Sequence, residues 1–220
     1  MLRWIDDVPR SAAMNMALDE MLFNEYKSNP VLRTYYWDNA YTTIGYFQKV
    51  KDTDGSGLVR RFTGGLTVNH HNDISYSVII SSGFFNVYNQ QEIYRNIHLA
   101  IQKALQMLGI SSIILDKKTG NTSTSSICAQ TFCKNDLILN GKKIAGSCLR
   151  RRGSKLIVQG SIYIYLNDTA KKVFSVNFAK KTAEFLKTEI KVSSFDNNDI
   201  RQAQNIAGEK YSNLQWNNKF

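Results

Sequence analysis

The spacing of apolar residues divides the chain into a short series of elements. Met14, Ala17, Leu18, Met21 and Leu22 recur at i, i+3, i+4, i+7 and i+8 behind Ser11, which predicts an amphipathic helix with a serine N-cap. Beyond Pro30, the run Val31-Leu32-Arg33-Thr34-Tyr35-Tyr36-Trp37 is aromatic and β-prone and predicts a strand. Thr42 to Tyr46 predicts another. Lys49 to Gly57 is polar and reads as a loop, Leu58 to Arg61 enters a strand, Gly64-Gly65 marks a turn, and Ile74 to Ser81 alternates as a strand. A second helix is predicted from about Gln90 to Leu108. Ile93, Ile97, Ala100, Ile101, Ala104, Leu105 and Leu108 form its buried stripe, and Gly109 stands where a C′ glycine belongs.

The second half reads differently. Ile113 to Leu115 predicts a short strand, and Lys117 to Ser126, rich in Thr, Ser, Gly and Asn, an exposed loop. Three strands follow, at Asp136–Leu139, Ile144–Arg150 and Leu156–Tyr165. Their turns fall at Asn140-Gly141, the strongest short hairpin signal, and near Gly153-Ser154. The tail from Thr169 shows short helical patterns, such as Ala183-Glu184-Phe185-Leu186. No internal repeat or linker interrupts the chain. The expected architecture is α+β, one domain over residues 1–220, with a mixed or antiparallel sheet and helices packed on it.

Composition narrows the function classes. The hydrophobic fraction of 43% and the charged fraction of 21% are ordinary for a globular chain. No apolar run approaches the ~20 residues of a membrane span, and Met1 to Asp7 lacks the apolar core of a signal peptide, so a cytoplasmic protein is expected. Three cysteines, Cys128, Cys133 and Cys148, do not make a disulfide framework. Cys128 and Cys133 are loosely spaced for a zinc pair, and the only histidines are His70, His71 and His98, so no metal is expected. The net charge of +10, from 28 Lys and Arg against 18 Asp and Glu, favours an anionic partner. An acidic protein fits as well as nucleic acid, for which no motif is present. A basic solvated surface with no partner is the plainer reading of the same charge.

Three clusters could carry chemistry. In Arg60-Arg61-Phe62-Thr63-Gly64-Gly65, two glycines after a strand let backbone amides approach a ligand, and adjacent arginines favour an anion. The Gly-Lys-Ser/Thr of a phosphate loop is absent, and an ordinary hairpin turn is the alternative. In Asn140-Gly141-Lys142-Lys143-Ile144-Ala145-Gly146-Ser147, a lysine just after a turn can hold a carbonyl or phosphate oxygen, or can simply be an exposed hairpin lysine. Cys128, beside the polar loop, becomes a reactive thiolate if a cation such as Lys143 faces it, and is otherwise a small buried hydrophobe.

In order and spacing these clusters resemble the lipoate–protein ligase and octanoyltransferase family, relatives of biotin protein ligase. The resemblance runs from Met16-Ala17-Leu18-Asp19-Glu20 through Leu32-Arg33-Thr34-Tyr35-Tyr36-Trp37 and Ile44-Gly45-Tyr46-Phe47-Gln48. It continues through Arg60 to Gly65 with Val68 and His70, then Tyr76-Ser77-Val78, Asn135-Asp136-Leu137, Gly141 to Ser147, and Gln159-Gly160-Ser161-Ile162. Tyr211-Ser212 and Trp216-Asn217 complete it. The resemblance implies a sheet-rich domain with a tunnel for a medium-length acyl chain. Arg33, Arg60, Arg61, Thr63, Gly64, Gly65, His70, Asp136, Gly146, Ser147 and Gly160 would bind substrate, and Lys143 would be the family's essential lysine, holding charge that develops on the acyl carbonyl.

Two mechanisms share this family. Ligases activate free lipoate with ATP and Mg; transferases take an octanoyl group from a carrier thioester and need no cofactor. Cys128 lies eight residues before Asp136, and the turn reads Gly64-Gly65-Leu66 rather than three glycines. Both features resemble the cysteine-dependent octanoyltransferase branch, as does the lack of room for a ligase's C-terminal accessory domain. That branch implies an acyl-enzyme on Cys128, with acyl carrier protein as donor, a lipoyl-domain or glycine-cleavage H-type protein as acceptor, and a monomer as the default. An ATP-dependent ligase and a non-catalytic carrier- or acyl-binding paralogue are the alternatives. Three departures stand out. Cys148-Leu149 occupy positions where the family usually has Ala-Gln, Gln159 stands where many members have histidine, and the Lys49–Gly57 loop is short.

Overall fold

The computed structural model describes residues 1–50, 57–85, 89–116 and 127–220. Eleven strands are seen there: β1 (Leu2–Asp6), β2 (Val31–Tyr35), β3 (Tyr41–Ile44), β4 (Leu58–Arg60), β5 (Val68–His70), β6 (Ile74–Ser81), β7 (Ile113–Ile114), β8 (Leu137–Leu139), β9 (Lys142–Arg152), β10 (Lys155–Ile162) and β11 (Ile190–Ser193). The helices are α1 (Ala12–Glu25), α2 (Gln90–Gln106), α3 (Asp168–Phe185), α4 (Asn197–Ile206) and α5 (Leu214–Asn217), with one π-helical turn at Ala207–Tyr211. Eight strands form a mixed sheet in the order β11-β1-β2-β6-β10-β9-β8-β7, and β4-β3-β5 form a separate small sheet. The α+β expectation therefore holds.

Alternation along the central strands assigns the two faces of the large sheet. Leu32, Tyr76, Val78, Ile80, Leu156 and Val158 point to the back face, where α2 and α3 supply Ile97, Ile101, Phe174 and Phe178. Val31, Tyr35, Ile79 and Ile157 point to the front, where α1 supplies Met16, Met21 and Phe23. With both faces covered, β6 is buried along nearly its whole length. Its front-facing Ser75 and Ser77 would be out of place in such a core without hydrogen-bond partners, and they donate to Asp73 and Asp19.

Local signals fix the helix ends. Ser11 Oγ accepts from the Met14 amide, as its N-cap position predicts. Gly109 follows α2 with φ +76°, the left-handed conformation a C′ glycine supplies. The Asn140-Gly141 turn joining β8 to β9 also has positive φ at both residues, 50° and 75°.

Several elements differ from the sequence reading. β1 was not predicted, yet it lies between β2 and β11 and runs parallel to both; five residues without a flanking turn signal give no periodicity to read. The short helical patterns after Thr169 are one 18-residue helix, α3. Its stripe is obscured because Ser175, Asn177 and Thr182 are buried among the aromatics. The first predicted strand stops at Tyr35, before Trp37, and β10 stops at Ile162, before Tyr165. β5 was missed. Most of the Lys49–Gly57 loop and all of the Lys117–Ser126 loop lie outside the described residues.

Candidate active site

Strand register brings the polar front-face residues into rows. Arg33, Ser77, Gln159 and Cys148 are successive partners across β2, β6, β10 and β9. Arg33 is fully buried and reaches under α1, donating to Asp19 at 2.8 Å, to Asp7 at 2.8 Å and to Asn15 Oδ1 at 2.6 Å. Asp19 also accepts from Ser77 Oγ (2.8 Å), Gln159 Nε2 (2.7 Å) and Tyr35 OH (3.2 Å). Burial disfavours the Arg33 cation, but Asp19 and Asp7 outweigh it and raise its pKa. A buried charge set of this kind persists because every member is paired.

The row ends at the turn that follows Arg61. Thr63 Oγ1 donates to Gln159 Oε1 at 2.6 Å and lies 3.2 Å from Cys148 Sγ. Gly65 has φ +95°, and the turn comes so close to β3 that a side chain on Gly45 would overlap the Gly65 carbonyl. Both glycines are thus required by the backbone path. Arg61 holds the turn from inside, donating to the carbonyls of Gly64 (3.2 Å) and Leu66 (2.8 Å) and to Thr43 Oγ1 (2.7 Å). Thr43 lies 2.7 Å from His70 Nε2, and His70 Nδ1 lies 2.8 Å from Asp73. Asp73 fixes the ring proton on Nδ1, so Nε2 accepts from Thr43. Trp37 stacks on the imidazole with centroids 3.8 Å apart. Burial lowers the pKa of His70 despite Asp73, which keeps the ring neutral in this chain of bonds.

A mainly apolar cavity lies between these pieces. Met16, Tyr35, Trp37, Leu66, Val68 and Tyr163 form its apolar walls, and Cys128, Cys148, Ser147 and Gln159 contribute polar atoms. Its apolar walls and few convergent polar groups are those of a small-ligand site.

Cys128 stands at this cavity beside the side chain of Lys143. Lys143 Nζ lies 3.5 Å from Cys128 Sγ, 3.0 Å from the Thr131 carbonyl and 2.8 Å from Asp136 Oδ2. The same carboxylate oxygen accepts from the Cys133 amide at 2.7 Å. Lys143 is only 7% exposed. Its burial disfavours the ammonium, yet Cys128 and Asp136 more than compensate and raise its pKa. Lys143 is therefore a fixed cation at neutral pH. Gly146 makes its position possible, because a Cβ there would stand 2.6 Å from Lys143 Cε and 2.8 Å from Nζ. Such an arrangement can hold negative charge on sulfur or on a nearby oxyanion. Cys133 is exposed and is not among the cavity-lining residues.

The structure thus brings together Cys128, Lys143, Asp136, Arg61, Thr63, Gly65, His70, Gly146, Ser147 and Gly160 in or beside one cavity, with Gly64 at its edge. It takes Arg33 and Arg60 elsewhere. Neither lines the cavity: Arg33 belongs to the network under α1, and Arg60 donates to the carbonyls of Gly45, Tyr46, Gln48, Trp216 and Asn217. Both are direct contacts of framework rather than of ligand, because a guanidinium saturated by protein acceptors has nothing left to offer a substrate.

Sequence reasoning missed Trp37, Thr43, Asp73 and His98 as contributors. Trp37 and Thr43 line the cavity themselves and Asp73 acts on it through His70, a convergence that no linear spacing reveals. His98 sits inside the apolar stripe of α2, and a single buried histidine among isoleucines was its only signal. The two family departures at Cys148 and Gln159 are direct cross-strand partners and share Thr63, so they form one local exchange rather than two.

Residues 11–200 match the family model of the lipoyl protein ligase A/B catalytic domain. The chain is 29% identical to Octanoyltransferase LipM of Brevibacillus brevis, covering 98% of each chain; that alignment spans 269 positions, so the relative carries insertions that this chain lacks. It is 32% identical to Octanoyltransferase LipM of Clostridioides difficile, covering 87% of this chain and 75% of that one. Among solved structures, protein Ta0514 from T. acidophilum with bound lipoic acid superposes with a TM-score of 0.80 at 19% identity, covering 99% of both chains.

Proposed function

The chain belongs to the lipoyl protein ligase A/B catalytic domain family, and from that premise we infer that it is an octanoyltransferase of protein lipoylation that works through an acyl-enzyme on Cys128. The observation that carries the mechanism is the placement of Cys128 at the apolar cavity with the Lys143 ammonium 3.5 Å from its sulfur. The octanoyl chain occupies the cavity between Trp37, Leu66, Val68 and Met16. Cys128 sulfur attacks the carbonyl carbon of a carrier thioester; a new C–S bond forms, the bond to the carrier sulfur breaks, and the carrier thiol takes up a proton. The neutral amine of the acceptor lysine then attacks the Cys128 thioester. An amide forms, Cys128 leaves as the sulfur anion, and the amine proton passes to solvent. In both halves negative charge collects on the acyl oxygen, and Lys143, held by Asp136, is the cation available to it.

The donor is acyl carrier protein, and the acceptor is a lipoyl-domain or glycine-cleavage H-type protein. Both are acidic partners suited to a chain of net charge +10, which speeds encounter more than it tightens binding. The reaction needs no cofactor. An ATP-dependent ligase would instead work without a nucleophilic thiol.

Incubation of the protein with octanoyl-acyl carrier protein, without ATP, followed by intact-mass measurement tests this reading. A hydroxylamine-labile octanoyl adduct that disappears in Cys128→Ser is the expected result. Absence of the adduct, with lipoyl-domain modification only when lipoate and ATP are supplied, would overturn it in favour of a ligase.

A further inference from the structure

The back face of the sheet carries a polar thread through an otherwise apolar core. Tyr76, Gly160 and Ser147 are successive partners across β6, β10 and β9. Because Gly160 has no side chain, the Tyr76 ring crosses it, and its hydroxyl meets Ser147 Oγ at 2.5 Å; a Cβ on Gly160 would overlap that ring. Ser147 Oγ in turn lies 2.6 Å from His98 Nε2, and His98 Nδ1 bonds the Asn135 carbonyl. His98 is 1% exposed.

We propose that His98 is a positioning residue for acyl transfer, fixing from behind the sheet the two segments that carry Asp136 and Lys143. The proposal rests on the Lys143–Cys128 reading. One partner of His98, Asn135, immediately precedes Asp136. The other, Ser147, immediately follows Gly146, the residue across which the end of Lys143 lies. Asn135 has φ +74°, a conformation that costs a non-glycine residue energy. It is held by its side chain, which donates to Gln91, and by its carbonyl on His98. Histidine on α2 therefore links β9 to the turn before β8, the two pieces whose separation sets the Asp136–Lys143 contact.

The bond pattern also sets the protonation state. A carbonyl only accepts, so Nδ1 carries the hydrogen and Nε2 must accept from Ser147, which then accepts from Tyr76. That sequence requires a neutral ring. The groups facing His98 are Asn135, Ser147 with Tyr76 behind it, Asp136 and Lys143. Burial lowers the His98 pKa most, the Asn135 carbonyl and Asp136 oppose this, and Lys143 reinforces it. Protonation would place a second N–H against the Ser147 hydroxyl hydrogen and a positive charge near Lys143.

The test compares the wild-type chain with His98→Phe, which keeps the volume but makes neither bond, and Ser147→Ala, which removes one. Two readouts are followed against pH: kcat and KM for octanoyl transfer, and the rate of Cys128 alkylation by iodoacetamide, located by peptide mass. The expected result is a fall in kcat of at least tenfold in His98→Phe, a smaller fall in Ser147→Ala, little change in KM, and a changed alkylation rate. The wild type should also lose activity as pH falls below the ordinary imidazole range, a limb absent from His98→Phe. Wild-type kcat, alkylation and pH profile in the folded variants, or losses that merely follow the folded fraction, would overturn the proposal. If His98→Phe does not fold, Ser147→Ala decides on the same criteria. A wild type that forms no octanoyl adduct would refute the acyl-enzyme reading alone, because alkylation still reports whether His98 governs the Cys128 site.

Discussion

Lys143 and Cys128 are fifteen residues apart in the chain, and the ammonium of one lies 3.5 Å from the sulfur of the other. Lys143 pairs with Ile138 beside a bulge in the β8–β9 pairing. Replacing Lys143 by Ala removes the cation beside the sulfur and, on the proposed acyl-enzyme mechanism, from the acyl oxygen as well. Single-turnover transfer should drop by about 10²- to 10³-fold, the usual cost of losing one such group. The assay is run below the unfolding temperature of the variant, since Asp136 is then left buried without its partner.

Gly146→Ala tests the same geometry without removing a charged group. The new methyl must displace the end of Lys143, whose Cε and Nζ lie 2.6 and 2.8 Å from the Cβ position. Because a flexible side chain yields before backbone does, stability should change by less than about 2 kcal/mol. Transfer should fall at least tenfold, so the measurement is kcat beside a urea unfolding curve. Equal losses in both would show that the residue matters only for folding.

Arg33 provides the contrast. Arg33→Met leaves Asp19 buried without its guanidinium, although Asp19 keeps Ser77, Gln159 and Tyr35 and Asp7 keeps Arg10. Breaking a buried pair from one side costs about 3–5 kcal/mol. A drop of that size in the unfolding free energy from a urea curve is expected, while KM of the fraction that stays folded should change little, because Arg33 does not line the cavity.

Stability should also depend on pH in a defined order. His70 and His98 have folded pKa values below the ordinary histidine value, because burial disfavours the cation. Between the unfolded value near 6.5 and the lower folded values, the unfolded chain binds more protons, so stability falls as pH drops through that window. A second loss follows below about pH 4. Asp7 and Asp73 are buried, yet Arg10 and Arg33 hold the first below the usual carboxylate range and His70 holds the second there. Unfolding free energies measured at pH 8, 6 and 4 should decrease in that order. A flat profile between 8 and 6 with a fall only below 4 would remove the histidines from the account.

Much of the site was legible because its signals are local. The Gly64-Gly65 turn, the Asn140-Gly141 hairpin and the position of Cys128 ahead of Asp136 are short patterns, and the α2 stripe with Gly109 marks a helix unambiguously. What was not legible is pairing at a distance. β1 has no turn of its own and is identified only by its neighbours β2 and β11. Arg33 and Arg60 resemble anion-binding residues in sequence, yet one neutralises Asp7 and Asp19 and the other saturates five carbonyls. Nothing in a linear string distinguishes an arginine that meets a ligand from one that meets its own backbone. His98 was passed over for a related reason, since its partners lie 37 and 49 residues away.

Arg60 sets the order in which the site can be assembled during synthesis. Its guanidinium is anchored early in the chain by Gly45, Tyr46 and Gln48, but its remaining acceptors are the carbonyls of Trp216 and Asn217, and Trp216 Nε1 returns a bond to the Arg60 carbonyl. Until that segment has left the ribosome, a buried cation next to Arg61 lacks two of its five acceptor carbonyls. The glycine turn is therefore sealed only after a segment 156 residues downstream has emerged, so a chain stalled before Trp216 can hold the sheet and its helices while the cavity is still unfinished.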